Sequence, residues 1–114
     1  MKTPEIKKAE MQNITQIIEY VPRSIVSRDI VKKTTGSIII IAFDSGEELY
    51  RKICPFDIFI EIIEGAAEIV IDNKSNLLEK GQVIIIPAHA MNSIIANERC
   101  KMLVTTIKSG YEED

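Results

Sequence analysis

Four side chains of this sequence could take part in ligand binding or catalysis: Lys52, Cys54, His89 and Asn92. A desolvated lysine amine can bind an anion or form a Schiff base with a carbonyl compound, and a cysteine thiolate is a nucleophile and a metal ligand. A histidine can transfer a proton, and an asparagine amide can both donate and accept hydrogen bonds. His89 is the only histidine, so one chain cannot build a site from three histidines.

These side chains belong to two spaced patterns that also contain turn residues. The patterns read Gly46-x5-Lys52-x-Cys54-x3-Ile58-x6-Gly65 and Gly81-x5-Pro87-x-His89-x2-Asn92-x3-Ala96. Because side chains alternate along a strand, we expect residues 52 and 54 on one face of one strand, and residues 58, 60 and 62 on one face of the next. By the same parity, Asp57 and Glu61 point away from that face.

The spacing resembles the paired motifs of the cupin superfamily, G-x5-H-x-H-x3-E-x6-G and G-x5-P-x-G-x2-H-x3-N. Strings similar to those of small bacterial cupins surround the motifs and cover roughly the last three-quarters of the chain. They are VPRSIVSR at 21–28, AFDSGEEL at 42–49, IEGAAEIVID at 63–72, EKGQVIIIPA at 79–88 and KMLVTTIK at 101–108. The resemblance implies an all-β fold, the cupin double-stranded β-helix or jelly-roll barrel of antiparallel strands.

The positions that bind metal in this superfamily are changed here. In metal-binding cupins, the two motifs supply three histidines and one glutamate to a divalent metal inside the barrel. The matching positions of this chain hold Lys52, Cys54, Ile58 and Asn92. A lysine cation repels a metal ion, isoleucine has no lone pair, and an asparagine amide is at best a weak neutral ligand. We therefore expect neither a bound metal nor another cofactor.

The resemblance places a candidate ligand pocket inside the barrel, lined by Lys52, Cys54, Ile58, Ile60, His89 and Asn92. If it binds a ligand, we expect a small molecule with an apolar body and an acidic or carbonyl group. Each polar residue also has a simpler interpretation. Lys52 can pack its stem on the wall with its charge in water, Cys54 can be a small core residue, and His89 can be a turn residue at the rim. The sequence leaves open whether the interior is open or filled.

Short apolar runs of strand length, separated by turn residues, position these motifs. The runs are 24–31, 37–43, 58–63, 68–71, 83–86, 93–96 and 101–107, with a hairpin turn at 72–75. Many short strands with frequent turns are typical of a β-sandwich or barrel. We predict an N-terminal polar segment with at most a short helical turn at 1–23, the cupin β-barrel at 24–108 and an acidic tail at 109–114.

The composition argues against several classes of protein. The formal net charge of the 114 residues is −3, so no excess of positive charge favours nucleic acid as a partner. The longest apolar run, 37–43, is too short to span a membrane, and the charged start has no apolar signal-peptide core. Cys54 and Cys100 are too few for a disulfide framework, and we interpret them as reduced thiols of a cytoplasmic protein. Whether the two cysteines approach each other is left open.

Three kinds of function are compatible with these features, since this fold hosts many chemistries. The first is a metal-free small-molecule-binding or accessory protein, which we favour. The second is an enzyme: an isomerase or lyase that uses Lys52 with Cys54 or His89, or a metal enzyme with unusual ligands. The third is a regulatory or structural module that acts through its surface.

The resemblance also implies assembly into a homodimer, as small cupins commonly pair. A barrel of this size gains stability from burying an edge strand and an apolar outer face. The face around Phe59 and Ile63, together with the strand Ser24–Val31, is the candidate interface.

Overall fold

Nine strands follow one 3-10 turn in the computed structural model, which describes residues 5–51 and 53–111. The turn is Ile14–Gln16, and the strands are β1 (Ile25–Lys33), β2 (Gly36–Phe43), β3 (Glu48–Arg51), β4 (Asp57–Glu64), β5 (Ala66–Ile71), β6 (Lys74–Glu79), β7 (Val83–Ile86), β8 (Asn92–Ile95) and β9 (Cys100–Ile107). Over these residues, no helix is long and apolar enough to cross a membrane.

The strands form two antiparallel sheets that face each other. The first has five strands in the order β1-β2-β9-β4-β7, and the second has four in the order β3-β8-β5-β6. All of the pairings between these strands are antiparallel. The predicted all-β jelly roll of antiparallel strands is confirmed.

Residues with left-handed backbone make two of the turns between strands. Asp72 and Asn73, with φ of 47° and 68°, form the two-residue loop between β5 and β6. Tight hairpin loops of this kind need positive φ at both residues, which Asp and Asn tolerate. Gly65, with φ of 75°, joins β4 to β5, and a Cβ there would lie 2.1 Å from the carbonyl oxygen of Arg99. Only glycine fits this position.

The space between the sheets is filled by one apolar cluster that is rich in isoleucine. β-Branched side chains pack well on the pleated surface of a sheet. The buried members are Ile41, Phe43, Ile58, Ile60, Ile62, Ala67, Ile69, Leu78, Ile86, Ala90, Ile94, Ala96, Cys100, Met102 and Val104. In β4, the buried isoleucines alternate with Asp57, Phe59 and Glu61, as the parity of the sequence predicts. Because the centre is packed, the ends of the barrel are the places where a ligand could enter.

The N-terminal segment packs on the outer face of the five-stranded sheet. Ile17 and Ile18 are buried in a second cluster with Ile40 and Ala42 of β2. The observed 3-10 turn is the only helical element in the described part of the segment. The sequence does not predict the docking, because two isoleucines among polar residues show no helical or strand periodicity.

Polar contacts hold this segment in place. The Lys101 ammonium donates a hydrogen bond to the carbonyl oxygen of Thr15 and lies 4.9 Å from the centre of the Tyr20 ring. The Tyr20 hydroxyl donates to the Glu64 carboxylate at 2.6 Å. Burial, and then the hydrogen bond to Glu64, raise the pKa of the Tyr20 phenol. The neutral phenol is therefore part of the docked arrangement.

Candidate functional site

The candidate site lies at the end of the barrel where β3, β5 and β9 finish and where β4 and β8 begin, which we call the barrel mouth. The two motifs meet here, because the backbone N–H of His89 donates to the carbonyl oxygen of Cys54 at 2.7 Å. Asn92 is the first residue of β8 and pairs with Ile71 at the end of β5. Ile58 is the second residue of β4. The fold thus brings Cys54, Ile58, His89 and Asn92 to one end of the molecule.

Asn92 is the most unusual side chain at the mouth. It exposes 7% of its surface. Asn92 lies two residues from the fully buried Ile94 on the same strand, so both side chains are on the inner face of the sheet. Neither Oδ1 nor Nδ2 has a hydrogen-bond partner among the described residues. Leaving a buried polar group without a partner costs about 1–3 kcal/mol of stability. An unpartnered group of this kind needs an explanation, and recognition of a ligand is one.

Hydrogen bonds fix the loop that leads into Asn92. The backbone N–H of Ala88 donates to Asp57 Oδ1 at 2.8 Å, and that of Met91 donates to Asp72 Oδ1 at 3.0 Å. The Asp72 N–H in turn donates to the carbonyl oxygen of Met91 at 2.9 Å. Each aspartate lies at a strand end, so β4 and the β5–β6 turn both hold the loop. The backbone that carries Asn92 is therefore fixed while its amide is unpartnered.

Cys54 does not lie on a strand, contrary to the expectation that residues 52 and 54 share a strand face. β3 ends at Arg51, and Cys54 lies in the following loop, half-buried against the apolar core. The adjacent Pro55 explains the difference, because proline lacks a backbone donor and restricts the residue before it. Lys52, the other half of this pair and the cationic member of the predicted pocket, lies outside the described residues.

Ile58 and Ile60 belong to the packed core. Ile58 pairs with Thr106 and Ile86 at the mouth, whereas Ile60 lies one inward position deeper and is fully buried. Their side chains therefore form the apolar floor behind the mouth. Side chains therefore fill the interior of the barrel, a point that the sequence leaves open.

His89 lies at the rim with its side chain exposed. Its φ of 70° is left-handed, at the position where the motif has glycine. Histidine tolerates this conformation better than most residues. The residue contributes its backbone N–H to the site, through the bond to Cys54, and its imidazole stays in solvent.

Two hydroxyls at the mouth are missing from the sequence analysis. Ser37 of β2 and Thr106 of β9 pair with each other, and Thr106 also pairs with Ile58. Ser37 has the same parity along β2 as the inward-facing Ile39 and Ile41, so its side chain faces inward. Thr106 likewise shares the parity of Met102 and Val104 in β9. Both are half-buried. The sequence could have predicted these two inward-facing hydroxyls, because each occupies a position in its strand that continues the series of inward-facing apolar residues.

The donor set at the mouth does not fit a divalent metal. Ile58 stands at the position of the family's glutamate and packs in the core, and the imidazole of His89 is exposed. Within residues 5–51 and 53–111, no three His, Cys, Asp or Glu side chains cluster in a way that could hold a metal ion. A neutral amide and a half-buried thiol are a poor substitute for imidazole and carboxylate ligands.

Cys100 is remote from this site. Cys100 is the first residue of β9, and the last residues of this strand lie at the mouth. At the usual rise per residue of a strand, Cys100 is about 20 Å from the mouth. Both Cys54 and Cys100 are free thiols. Burial raises the pKa of the Cys100 thiol to about 12, with a smaller contribution from Glu98. Cys100 is therefore an inert core residue.

The fold has close counterparts among solved structures. A conserved protein of unknown function from Streptococcus pyogenes superposes with a TM-score of 0.88 at 28% identity, covering 96% of each chain. A cupin superfamily protein from Desulfitobacterium hafniense gives 0.86 at 22% identity, covering 96% of this chain and 100% of the other. A cupin 2 conserved barrel domain protein from Leptotrichia buccalis gives 0.82 at 28% identity, covering 85% of this chain and 47% of the other.

The sequence itself matches no protein-family model and no curated protein. The similarity is therefore carried by the arrangement of the strands, over nearly the full length of the first two structures. The two sheets, the paired motifs at the mouth and these structural neighbours show that the chain has the fold of the cupin superfamily.

Proposed function

We propose that this cupin is a small-molecule-binding or accessory protein without metal chemistry of its own. The observation that carries the proposal is the buried, unpartnered amide of Asn92 at the barrel mouth. Metal-binding cupins have a histidine ligand at this position of the motif. A neutral amide binds metal weakly, but it can orient an organic ligand through one donor and one acceptor.

The surroundings of Asn92 suit a small ligand with an apolar body. Ile58 and Ile71 supply apolar wall on opposite sheets, and the half-buried thiol of Cys54 lies in the loop beside the mouth. A ligand that bonds to the amide would offset the cost of burying it unpartnered. Free Cys54 and Cys100 suit a reducing compartment, so we include the cytoplasm in this proposal.

A thermal-shift screen of small carboxylic acids, aldehydes and ketones tests the proposal, with EDTA present throughout. A ligand that binds the folded state alone raises the melting temperature by mass action. The same compound should slow the modification of Cys54 by Ellman's reagent, because both occupy the mouth. The proposal fails if no compound stabilises the protein, or if every stabilising compound leaves the rate at Cys54 unchanged.

The isomerase or lyase alternative depends on Lys52, which lies outside the described residues, and the exposed imidazole of His89 does not favour it. The metal-enzyme alternative is not favoured by the donors in residues 5–51 and 53–111.

The surface alternative has one observation in its favour. On the outer face of the five-stranded sheet, Val83, Ile85 and Ile107 are each about half exposed, beside Phe59. The N-terminal segment covers Ile40 and Ala42 of β2 and reaches Lys101 of β9 and Glu64 of β4, but it leaves these three side chains exposed. We propose that a second copy of the chain covers the rest, which would make the protein a homodimer.

A further inference from the structure

A cavity of about 340 Å³ lies on the outer face of the four-stranded sheet, outside the packed interior. Tyr50 of β3 and Val70 of β5 both pair with Ser93 of β8, so these three side chains form one row across the sheet. The next residue of β8, Ile94, is buried in the core, and side chains alternate along a strand. The row therefore faces outward, and the cavity is built on it.

The cavity exists because a small side chain lies between larger ones. Ser93 and Val70 are half-buried and form its base. Tyr50 and Met91, which are 74% and 64% exposed, form its walls, and the β5–β6 turn adds Asn73 to the rim. The volume is at the lower end of the range for small-molecule pockets, about 300–1,000 Å³. The cavity thus has room for a ligand with a single ring.

Hydrogen bonds hold both walls in place. The Tyr50 hydroxyl donates to Glu48 Oε2 at 2.7 Å, two residues back on the same face of β3, so the ring is held along the strand. The backbone N–H of Met91 donates to Asp72 Oδ1 at 3.0 Å, and the Asp72 N–H donates to the Met91 carbonyl oxygen at 2.9 Å. Walls that are already fixed lose little conformational freedom when a ligand binds.

The lining favours an aromatic ring with a polar substituent. The Tyr50 ring and the Met91 thioether both attract aromatic rings, the first by stacking and the second by sulfur–aromatic contact. The Asn73 amide and the Ser93 hydroxyl make no side-chain hydrogen bond to another described residue. They are therefore available to donate to, or accept from, a polar group on the ring.

Charge narrows the ligand class further. None of the described residues that line the cavity is basic, and the carboxylates of Glu48 and Asp72 lie against its two walls. A negatively charged ligand is disfavoured by these carboxylates. We propose that the cavity is a second binding site, separate from the barrel mouth, for a small uncharged aromatic molecule with one polar substituent, such as an aromatic amide. The site is independent of the proposed function, because the Asn92 amide lies on the other face of the sheet.

The test uses the full chain, labelled with nitrogen-15, and three probes of similar size. They are benzamide, cyclohexanecarboxamide, which lacks the aromatic ring, and benzoate, which carries a negative charge. We expect benzamide to shift the backbone amide signals of residues 50, 70, 73, 91 and 93 in NMR titrations. Cyclohexanecarboxamide should bind about two- to tenfold more weakly, the loss for one aromatic contact. Benzoate should also bind more weakly than benzamide.

Three substitutions connect binding to the cavity. Ser93→Phe fills its base with a side chain that suits a strand, so the protein should stay folded and lose benzamide binding. Ser75→Phe places the same ring on the same face, two strands away on β6, and should keep it. Tyr50→Leu keeps an apolar wall without the aromatic face, so it should remove the preference for benzamide over cyclohexanecarboxamide.

Four results would overturn the inference. They are the absence of any benzamide-dependent shift, equal affinity for benzamide and cyclohexanecarboxamide, undiminished binding in Ser93→Phe, and shifts confined to residues 54, 58 and 106 of the mouth. The last result would support a ligand at the mouth while ruling out the outer cavity. The other three leave the proposed function to its own screen.

Discussion

At the scale of single residues, Asn92 is distinguished from its neighbours by what it lacks. Every residue from Ala88 to Met91 has its backbone N–H satisfied, by Asp57, Cys54, Pro87 and Asp72 in turn. The amide that follows them has neither atom paired within the described chain. The contrast between the paired backbone of this loop and the unpaired amide at its end is the feature on which the proposed ligand site depends.

The two thiols should differ sharply in reactivity. Cys54 is half-buried at the mouth, whereas Cys100 is fully buried and burial raises its pKa to about 12. Since the thiolate is the reactive form, Ellman's reagent should modify one thiol per native chain and two per unfolded chain. Cys54→Ser should leave no reactive thiol in the native protein. Fast reaction in that variant would show that Cys100 is accessible.

Gly65 and Gly81 allow a comparison that isolates the cost of placing a Cβ against a neighbouring backbone. Both have positive φ, of 75° and 87°, but a Cβ at Gly65 would lie 2.1 Å from the Arg99 carbonyl oxygen, and one at Gly81 would meet nothing within 4 Å. Gly81→Ala should lower the free energy of unfolding by about 1–2 kcal/mol, the cost of left-handed backbone. Gly65→Ala should lower it by more than about 3 kcal/mol, because the backbone must also move. Urea denaturation measures both, and equal losses would contradict the packing described at Gly65.

At the scale of elements, the N-terminal segment covers part of the outer face of the five-stranded sheet. It buries Ile17 and Ile18 on the β2 side of the outer face and is held by Lys101 and by the hydrogen bond from Tyr20 to Glu64. Without it, Ile40 and Ala42 would face solvent. We infer that the segment contributes to the stability of the barrel.

This segment should make the protein sensitive to alkaline pH. The pKa of Tyr20 is raised in the folded state, so the stabilisation is fully present below the unfolded tyrosine pKa of about 10 and is lost as pH rises above it. The melting temperature should fall above pH 10, and it should fall less in Tyr20→Phe, which keeps the ring but cannot ionise. Tyr50→Phe is the comparison: the hydrogen bond to Glu48 also raises the pKa of Tyr50, but that phenol is exposed and the interaction is screened by solvent, so this variant should keep a pH profile close to that of the wild type. Parallel pH profiles for wild type and Tyr20→Phe would refute this role.

At the scale of the whole molecule, the proposed homodimer can be tested on two exposed apolar residues. Ile85 of β7 is 58% exposed on the partly covered outer face, and Leu77 of β6 is 74% exposed on the other sheet. Ile85→Asp should give a monomer by light scattering, whereas Leu77→Asp should keep the dimer, since a charge cannot be buried unpaired in an interface. Ile63, named in the sequence-based interface, is buried within the chain and contributes little to such a contact. A monomeric wild type at micromolar concentration would rule out the assembly.

Much of the fold could be predicted from the sequence because the apolar runs and turn residues agree with each other. The runs at 37–43 and 101–107 correspond to β2 and β9. The hairpin turn begins at Asp72 as predicted, but it is two residues long instead of four, because Lys74 and Ser75 already belong to β6. β3 could not be found in this way, since Glu48–Arg51 is short and begins and ends with a charged residue. The position of Asn92 followed from the motif, but its lack of partners depends on residues distant in sequence. Local patterns carry no information on such contacts.

Metal content of the purified protein tests the central claim most directly, namely that a neutral amide and apolar wall at the barrel mouth have replaced a metal centre. Elemental analysis should be carried out on protein prepared without chelators or an affinity tag that binds metal. We predict that no transition metal is present in stoichiometric amount, because Ile58 and Asn92 cannot act as the glutamate and histidine ligands of the family. About one metal ion per chain, removable by a chelator with loss of stability, would contradict the claim.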